Sequence, residues 1–341
     1  MHVLRVLAVN AAVLAGLLLA AETLVRVAAP GVVPAGADDG LFEWRPHASG
    51  ASWHLRPGAT GESYGTQIAV DRNGAQVYAA ETDAPTDTTA GLWFLIGDSV
   101  AMGLGVAPDA TFAGRLAARP GSRVVNPSVL GWAAPDYRRA AVDLADAVEA
   151  GRTRALAAVT LVWCLNDLYP DGQPIPVATA ATQAAAAPRA PLGARAFQAV
   201  KQRAARPLAW LGRHSRLYRW ARTVPPDAAG RTYAYDRSLY TDPAFQPDRD
   251  RAFADVAVAR DALARFGIPL TVVVVPESPQ VGTADTVPQD TLRARFAALG
   301  MRSLDLTPLL DRREHFLTGD ATHLSAAGHA VAADALRTLA P

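Results

Sequence analysis

Ser99 stands in the run Gly97-Asp98-Ser99, directly after the apolar residues Leu92-Trp93-Phe94-Leu95-Ile96, and Asp320-Ala321-Thr322-His323-Leu324-Ser325 lies near the other end of the chain. A serine hydroxyl becomes a nucleophile when an imidazole accepts its proton and a carboxylate orients that imidazole. Ser99, His323 and Asp320 are the residue types that this chemistry needs, in the chain order Ser, Asp, His. With Asp320 three positions ahead of His323, both side chains fit on one turn. Attack on an ester also requires donors aimed at the oxyanion that develops. The candidates are the backbone N–H groups of Ser99 and Gly131 and the side-chain amide of Asn166. Gly131 closes Val124-Val125-Asn126-Pro127-Ser128-Val129-Leu130-Gly131, and Asn166 lies in Trp163-Cys164-Leu165-Asn166-Asp167. Taken singly, each has a plainer reading: a helix N-cap, a surface histidine, a loop glycine, a turn residue. Their joint occurrence, in order and each just beyond an apolar run, points to nucleophilic acyl chemistry.

Such residues must be held by strands. From residue 91 onward, short apolar runs alternate with helical windows. The pattern predicts strands over Leu92–Ile96, Arg123–Val125, Ala158–Trp163, Leu270–Val275 and Ser303–Leu306. It predicts helices over Phe112–Ala118, Asp136–Ala150, Arg249–Phe266, Leu292–Leu299 and Ala326–Leu339, the last capped by Ser325. This alternation implies an α/β fold, a parallel sheet covered by helices on both faces. Ligands of such sheets bind beyond the carboxyl ends of the strands. Ser99, Gly131, Asn166 and the Asp320–His323 loop all fall there. Pro276-Glu277-Ser278-Pro279-Gln280 follows the fourth strand and is placed to line the same cleft, with Glu277 expected at the surface. Asp167 is read as a structural partner within the Asn166 loop.

Two segments stand outside the alternation. Residues 31–90 form an extended preface with a hairpin signal, Asp71-Arg72-Asn73-Gly74, between Gln67-Ile68-Ala69-Val70 and Ala75-Gln76-Val77-Tyr78. A polar linker, Asp83 to Thr89, ends the preface. At about 171–247 a helical insertion begins with an Ala/Pro-rich stretch, Pro174 to Pro191. It continues from Arg195 to Arg222 as a basic, aromatic stretch without an acid, in which Pro207 must kink or split any helix. It reads either as a helical insertion packed on the main domain, or as a cap or lipid-facing surface.

The whole chain has 341 residues, half of them apolar, and a formal net charge of +1. One sizeable core is therefore available, and nothing in the charge balance calls for nucleic acid or an acidic partner. The single cysteine, Cys164, rules out an internal disulfide and a cysteine-rich metal site. At the N-terminus, Val6 to Ala21 is apolar except for Asn10, preceded by Arg5 and followed by Glu22 and Arg26. A spanning helix needs about 20 residues, a length reached here when Thr23 to Ala29 is added. Residues 1–30 are read as an uncleaved signal anchor. A cleaved signal peptide is the alternative, and Pro30 directly after Val27-Ala28-Ala29 speaks against cutting there. Either way the remainder is exported: a single-pass membrane protein with its main domain outside the cytoplasm, or a secreted one.

Residues 91–341 resemble the SGNH/GDSL hydrolase superfamily. Ser99, Gly131, Asn166 and His323 match its four name-giving residues, and Asp320-x-x-His323-Leu324-Ser325-x-x-Gly328-His329 is the most specific stretch. The resemblance implies a flavodoxin-like three-layer sandwich around a five-stranded parallel sheet. It also implies hydrolysis or transfer of acyl esters through an acyl-enzyme on Ser99, with neither metal nor cofactor. The preface and anchor resemble those of bacterial exported members, so small O-acyl esters on cell-envelope glycans or lipids are the expected substrates. A polysaccharide O-acetyltransferase would use the same residues, and a scaffold that kept the fold is the non-catalytic alternative. Two positions depart from the family pattern: Cys164 and Ser128 stand where glycines are usual. Cys164 would narrow the space behind the oxyanion site.

Overall fold

The computed structural model describes residues 2–29, 32, 36–47, 50–79, 91–153, 156–168, 210–212, 214–223 and 228–339. The Asp83–Thr89 linker, the Pro174–Pro191 stretch and Pro207 lie outside the described residues. The main sheet has five strands: β5 (Leu92–Ile96), β6 (Arg123–Val125), β7 (Leu156–Trp163), β8 (Leu270–Val274) and β9 (Ser303–Asp305). All pair in parallel, in the order β6-β5-β7-β8-β9. Numbered from its own first strand, the sheet runs 2-1-3-4-5, the flavodoxin-like order, with its switch point at β5.

Period-two alternation along the strands feeds two cores. On β7, Val159, Leu161 and Trp163 face one layer, while Ala158 and Val162 face the other. The first layer is covered by α4 (Ala134–Glu149), α7 (Gln246–Ala264) and α8 (Val287–Ala298). Helix α7 offers Ala252, Phe253, Val256, Ala259 and Leu263, a stripe at helical spacing. Trp163 is fully buried, stacked on Phe253 at 5.8 Å and edge-on to Phe296 at 5.6 Å. Burial of one such side chain stabilises the fold by about 1.5–3 kcal/mol. The second layer is covered by α3 (Phe112–Ala117) and α9 (Ala326–Leu336), through Phe112, Leu116, Ala332 and Leu336. Helices on both faces give the expected three layers. The elements extend or shorten by up to five residues at their ends relative to the sequence pattern.

The preface contains two hairpins, β1 (Phe42–His47) with β2 (Gly50–Leu55), and β3 (Thr60–Ser63) with β4 (Thr66–Ala69). The hairpin expected between residues 67–70 and 75–78 is present in shortened form. Strand β4 pairs with β3 across Tyr64-Gly65, and beyond it the antiparallel bridge Val70 to Gln76 spans Asp71–Gly74, flanked by Asp71 N to Ala75 O at 2.8 Å and Val77 N to Ala69 O at 2.9 Å. The turn chemistry itself is present, since Asp71 Oδ1 accepts from Asn73 N at 2.7 Å and Ala75 N at 2.9 Å. The returning chain also bonds to the main domain: Gln76 donates through its backbone N–H to Asn126 O and through Nε2 to Met102 O, both at 3.0 Å. Leu41, Phe42, Leu55, Ile68 and Val70 of the preface join the first core layer directly.

Ahead of the preface runs α1 (His2–Ala28), whose stretch Leu4–Ala28 is long and apolar enough to cross a membrane. Within the insertion, α5 (Arg216–Thr223) precedes α6 (Ala228–Thr241). Helix α6 packs on the main domain through Tyr233, Leu239 and Tyr240.

Candidate active site

Ser99 begins α2 (Ser99–Met102), immediately beyond β5, with Asp98 as its N-cap. The hydroxyl is turned to His323: Ser99 Oγ and His323 Nε2 are 2.8 Å apart. On the other side of the ring, His323 Nδ1 lies 2.9 Å from Asp320 Oδ2. Serine, imidazole and carboxylate therefore form one hydrogen-bonded line. The loop that carries two of them is built by its own aspartate. Asp320 Oδ1 accepts from the N–H groups of Thr322 (2.9 Å) and His323 (3.0 Å), so the turn and the ring orientation are set together. Leu324 is buried beneath, bridging back to Phe316, and Ser325 caps α9 by accepting from Gly328 N at 3.2 Å.

The electrostatics follow from this geometry. Burial works against the Asp320 anion, but the charge and hydrogen bonds of His323 outweigh it and lower its pKa to about 2. Burial likewise disfavours the His323 cation, yet Asp320 prevails and raises the imidazole above its ordinary value. With Nδ1–H donated to Asp320, Nε2 is left as the acceptor for the Ser99 hydroxyl.

Gly131 and Asn166 follow β6 and β7, the two neighbours of β5, at the same carboxyl edge of the sheet. Gly131 has φ of 79°, in the left-handed region that a side chain resists. Asn166 is buried, and its Oδ1 accepts no hydrogen bond. An unsatisfied buried polar atom of this kind calls for an explanation, and a functional site is one. Asp167 fixes the loop from within, its Oδ2 accepting from Cys164 N at 2.7 Å, which is the structural role expected of it. Cys164 is fully buried and its Sγ donates to Asp98 Oδ1 at 3.4 Å. Burial above all, then the Asp98 and Asp167 charges, raise the thiol well above its usual pKa, so no nucleophilic thiolate forms. Ser128 Oγ donates to Leu95 O at 3.3 Å.

Glu277 corrects the sequence reading. It is completely buried rather than exposed, and burial, with the charges of Asp236 and Asp320, pushes its pKa well up. A carboxyl in that setting is retained neutral. Its neighbour Ser278 has a role the sequence did not announce. Ser278 Oγ donates to Asp320 O at 2.7 Å and its N–H to Ala321 O at 2.6 Å, tying the exit of β8 to the Asp320–His323 loop. Tyr240 does the same for the Asn166 loop, donating to Leu165 O at 2.9 Å while accepting from Trp163 Nε1 at 3.0 Å. Position just beyond a strand was the only sequence signal for Ser278, and Tyr240 had none.

The charges of two outlying elements bear on the site. Tyr64, in the β3–β4 turn, is the one non-glycine residue with left-handed φ (49°) among those described. Burial raises its phenol pKa, and the charges of Arg219 on α5 and of Asp320 both act on it. Arg219 also acts on His323. Among the described residues no group of three or more His, Cys, Asp or Glu side chains is placed to hold a metal ion.

No family model matches the chain, and no curated protein sequence matches it. Among solved structures it is similar to TesA, at 12% identity, TM-score 0.40, with 72% of this chain and 96% of that one covered. It is similar to a G-D-S-L family protein from Desulfitobacterium hafniense, at 13% identity, TM-score 0.37, with 72% and 99% covered. A third is a carbohydrate esterase family 2 enzyme with a carbohydrate-binding domain, from Corynascus thermopiles (Myceliophthora fergusii), at 13% identity, TM-score 0.36, with 86% and 73% covered. The α/β class rests on the strand order of this chain itself.

Proposed function

We propose that this chain is a serine esterase of SGNH type. The carrying observation is the line Ser99–His323–Asp320, closed by contacts of 2.8 and 2.9 Å. In this reading Ser99 Oγ attacks the ester carbonyl carbon while His323 Nε2 takes its proton. The tetrahedral oxyanion is held by the N–H groups of Ser99 and Gly131 and by the Asn166 amide. The Ser99 N–H is in the first turn of α2, where helix geometry provides no carbonyl for it. His323 returns the proton to the departing alcohol, leaving an acyl ester on Ser99. Water, deprotonated by the same Nε2, then attacks that ester and restores the hydroxyl. An acceptor sugar hydroxyl in place of water would make the same site a transferase. Small O-acyl esters of envelope glycans or lipids are the substrates this reading assigns.

The test is covalent labelling of the folded protein with a fluorophosphonate, followed by turnover of acetyl, butyryl and longer p-nitrophenyl esters. Ser99→Ala is expected to abolish labelling and to lower kcat by about 10⁶-fold, the scale of losing a serine nucleophile. A folded wild-type protein that takes no label would establish a scaffold instead.

A further inference from the structure

Helix α1 is exposed over most of its apolar stretch, with Leu7 at 59%, Leu14 at 58% and Leu24 at 66%, while Val25 near its end is buried. Its last turns, however, are tied into the folded chain. Glu22 Oε1 accepts from Arg216 N at 2.9 Å, and Oε2 from Ser215 Oγ at 2.8 Å and Leu217 N at 2.9 Å. Arg26 pairs with Glu22 at 2.8 Å and donates through Nη2 to His214 O at 2.9 Å. Glu22 is thus the N-terminal cap of α5, supplied from nearly 200 residues away. A span of about 20 residues counted from Leu4 ends at Thr23, so this clamp falls where the helix would leave the hydrocarbon. A cut after Ala28 or Ala29 would discard the cap and leave the first N–H groups of α5 without it.

The clamped segment has the composition of the headgroup region. Trp210 and Trp220 are 60% and 41% exposed, and Arg216 and Arg219 accompany them, with no acid between Arg195 and Arg222. Tryptophan and arginine at a span's end are what an anionic lipid surface selects.

We propose that α1 is retained and that the turn at Trp210 and helix α5 rest on an anionic phospholipid surface, held there by Glu22 and Arg26. This inference concerns the anchor and the lipid surface, and it stands or falls separately from the acyl chemistry.

The full chain is purified from membranes, its intact mass recorded, and reconstituted into phosphatidylcholine vesicles with or without phosphatidylglycerol. The acyl chains of the lipids are brominated close to the headgroup, and tryptophan quenching is read. The expected mass includes residues 1–30. The expected quenching is stronger with phosphatidylglycerol and is lost in the Trp210→Phe/Trp220→Phe variant. Glu22→Ala, which frees α5 without touching a tryptophan, is expected to lose it too, and Arg216→Gln to lose the phosphatidylglycerol dependence. Quenching unchanged in the double-tryptophan variant, or a mass lacking the N-terminal segment, overturns the proposal. Melting curves of each variant separate a lost contact from a lost fold.

Discussion

Asp320 does two jobs through two oxygens: Oδ1 organises the turn and Oδ2 orients the imidazole. The ring can accept a proton from Ser99 only while neutral, and Asp320 raises the pKa at which it becomes so. The kcat/KM profile is therefore expected to rise with pH around a midpoint above 6.5, the ordinary histidine value. Asp320→Asn removes the anion but leaves the burial that disfavours the imidazolium, so the midpoint is expected to move down. The rate is expected to fall by about 10⁴-fold, because the amide no longer enforces the tautomer. An unshifted midpoint would show that the group titrating in catalysis is not His323. Stability follows the same shifts with opposite signs. The Asp320 contribution is present above its unfolded pKa of 3.8 and is lost as pH falls towards about 2. That of His323 is complete below 6.5 and declines as pH rises through the higher folded value.

At the scale of elements, the loops that carry these groups are gripped from outside the motif. Gly328, in the first turn of α9, shows why the Asp320–His329 stretch reads as it does. A Cβ there would lie 2.0 Å from the backbone oxygen of His315, which already accepts from Ser325 N at 2.9 Å. Gly328→Ala is expected to push α9 off that loop, lowering stability by about 1–3 kcal/mol, as overpacking does. Denaturant unfolding measures the loss, and an unchanged midpoint would mean that the loop yields freely. The β-strands and this motif were legible because each depends on local pattern: apolar runs of strand length, and spacing within one turn. What was not legible depends on which distant backbone comes near. Gln76 keeps the bridge to Val70 that its hairpin signal announced, but nothing local announced its further bonds to Asn126 and Met102. Tyr64 occupies a turn position whose backbone favours glycine or asparagine, so sequence alone places no turn there. Glu277 looks like a surface carboxyl until Asp236 of α6 and the Asp320 loop are seen to enclose it.

For the whole molecule, three layers of contact meet at one sheet edge: the α/β core, the preface and the insertion clamped to α1. The polar links from α1 to the rest that bear on the site run through residues 214–217 alone among those described, whereas Ser99, Gly131, Asn166, Asp320 and His323 all hang on the sheet and its loops. Preface and core share one apolar cluster, so removing residues 1–30 leaves that cluster whole. A chain starting at residue 31 is therefore expected to melt with the full chain. Its turnover of p-nitrophenyl acetate is expected within about three-fold of the full chain's, under about 1 kcal/mol of barrier. The amides of Arg216 and Leu217, which lose Glu22 as acceptor, are expected to exchange hydrogen at least about five-fold faster, the measure of one net hydrogen bond of about 1 kcal/mol. Faster exchange with intact turnover assigns α1 to holding α5 and not to building the nucleophile. Loss of turnover with the fold retained would mean instead that α5, through the Arg219 charge that acts on His323, contributes to the chemistry.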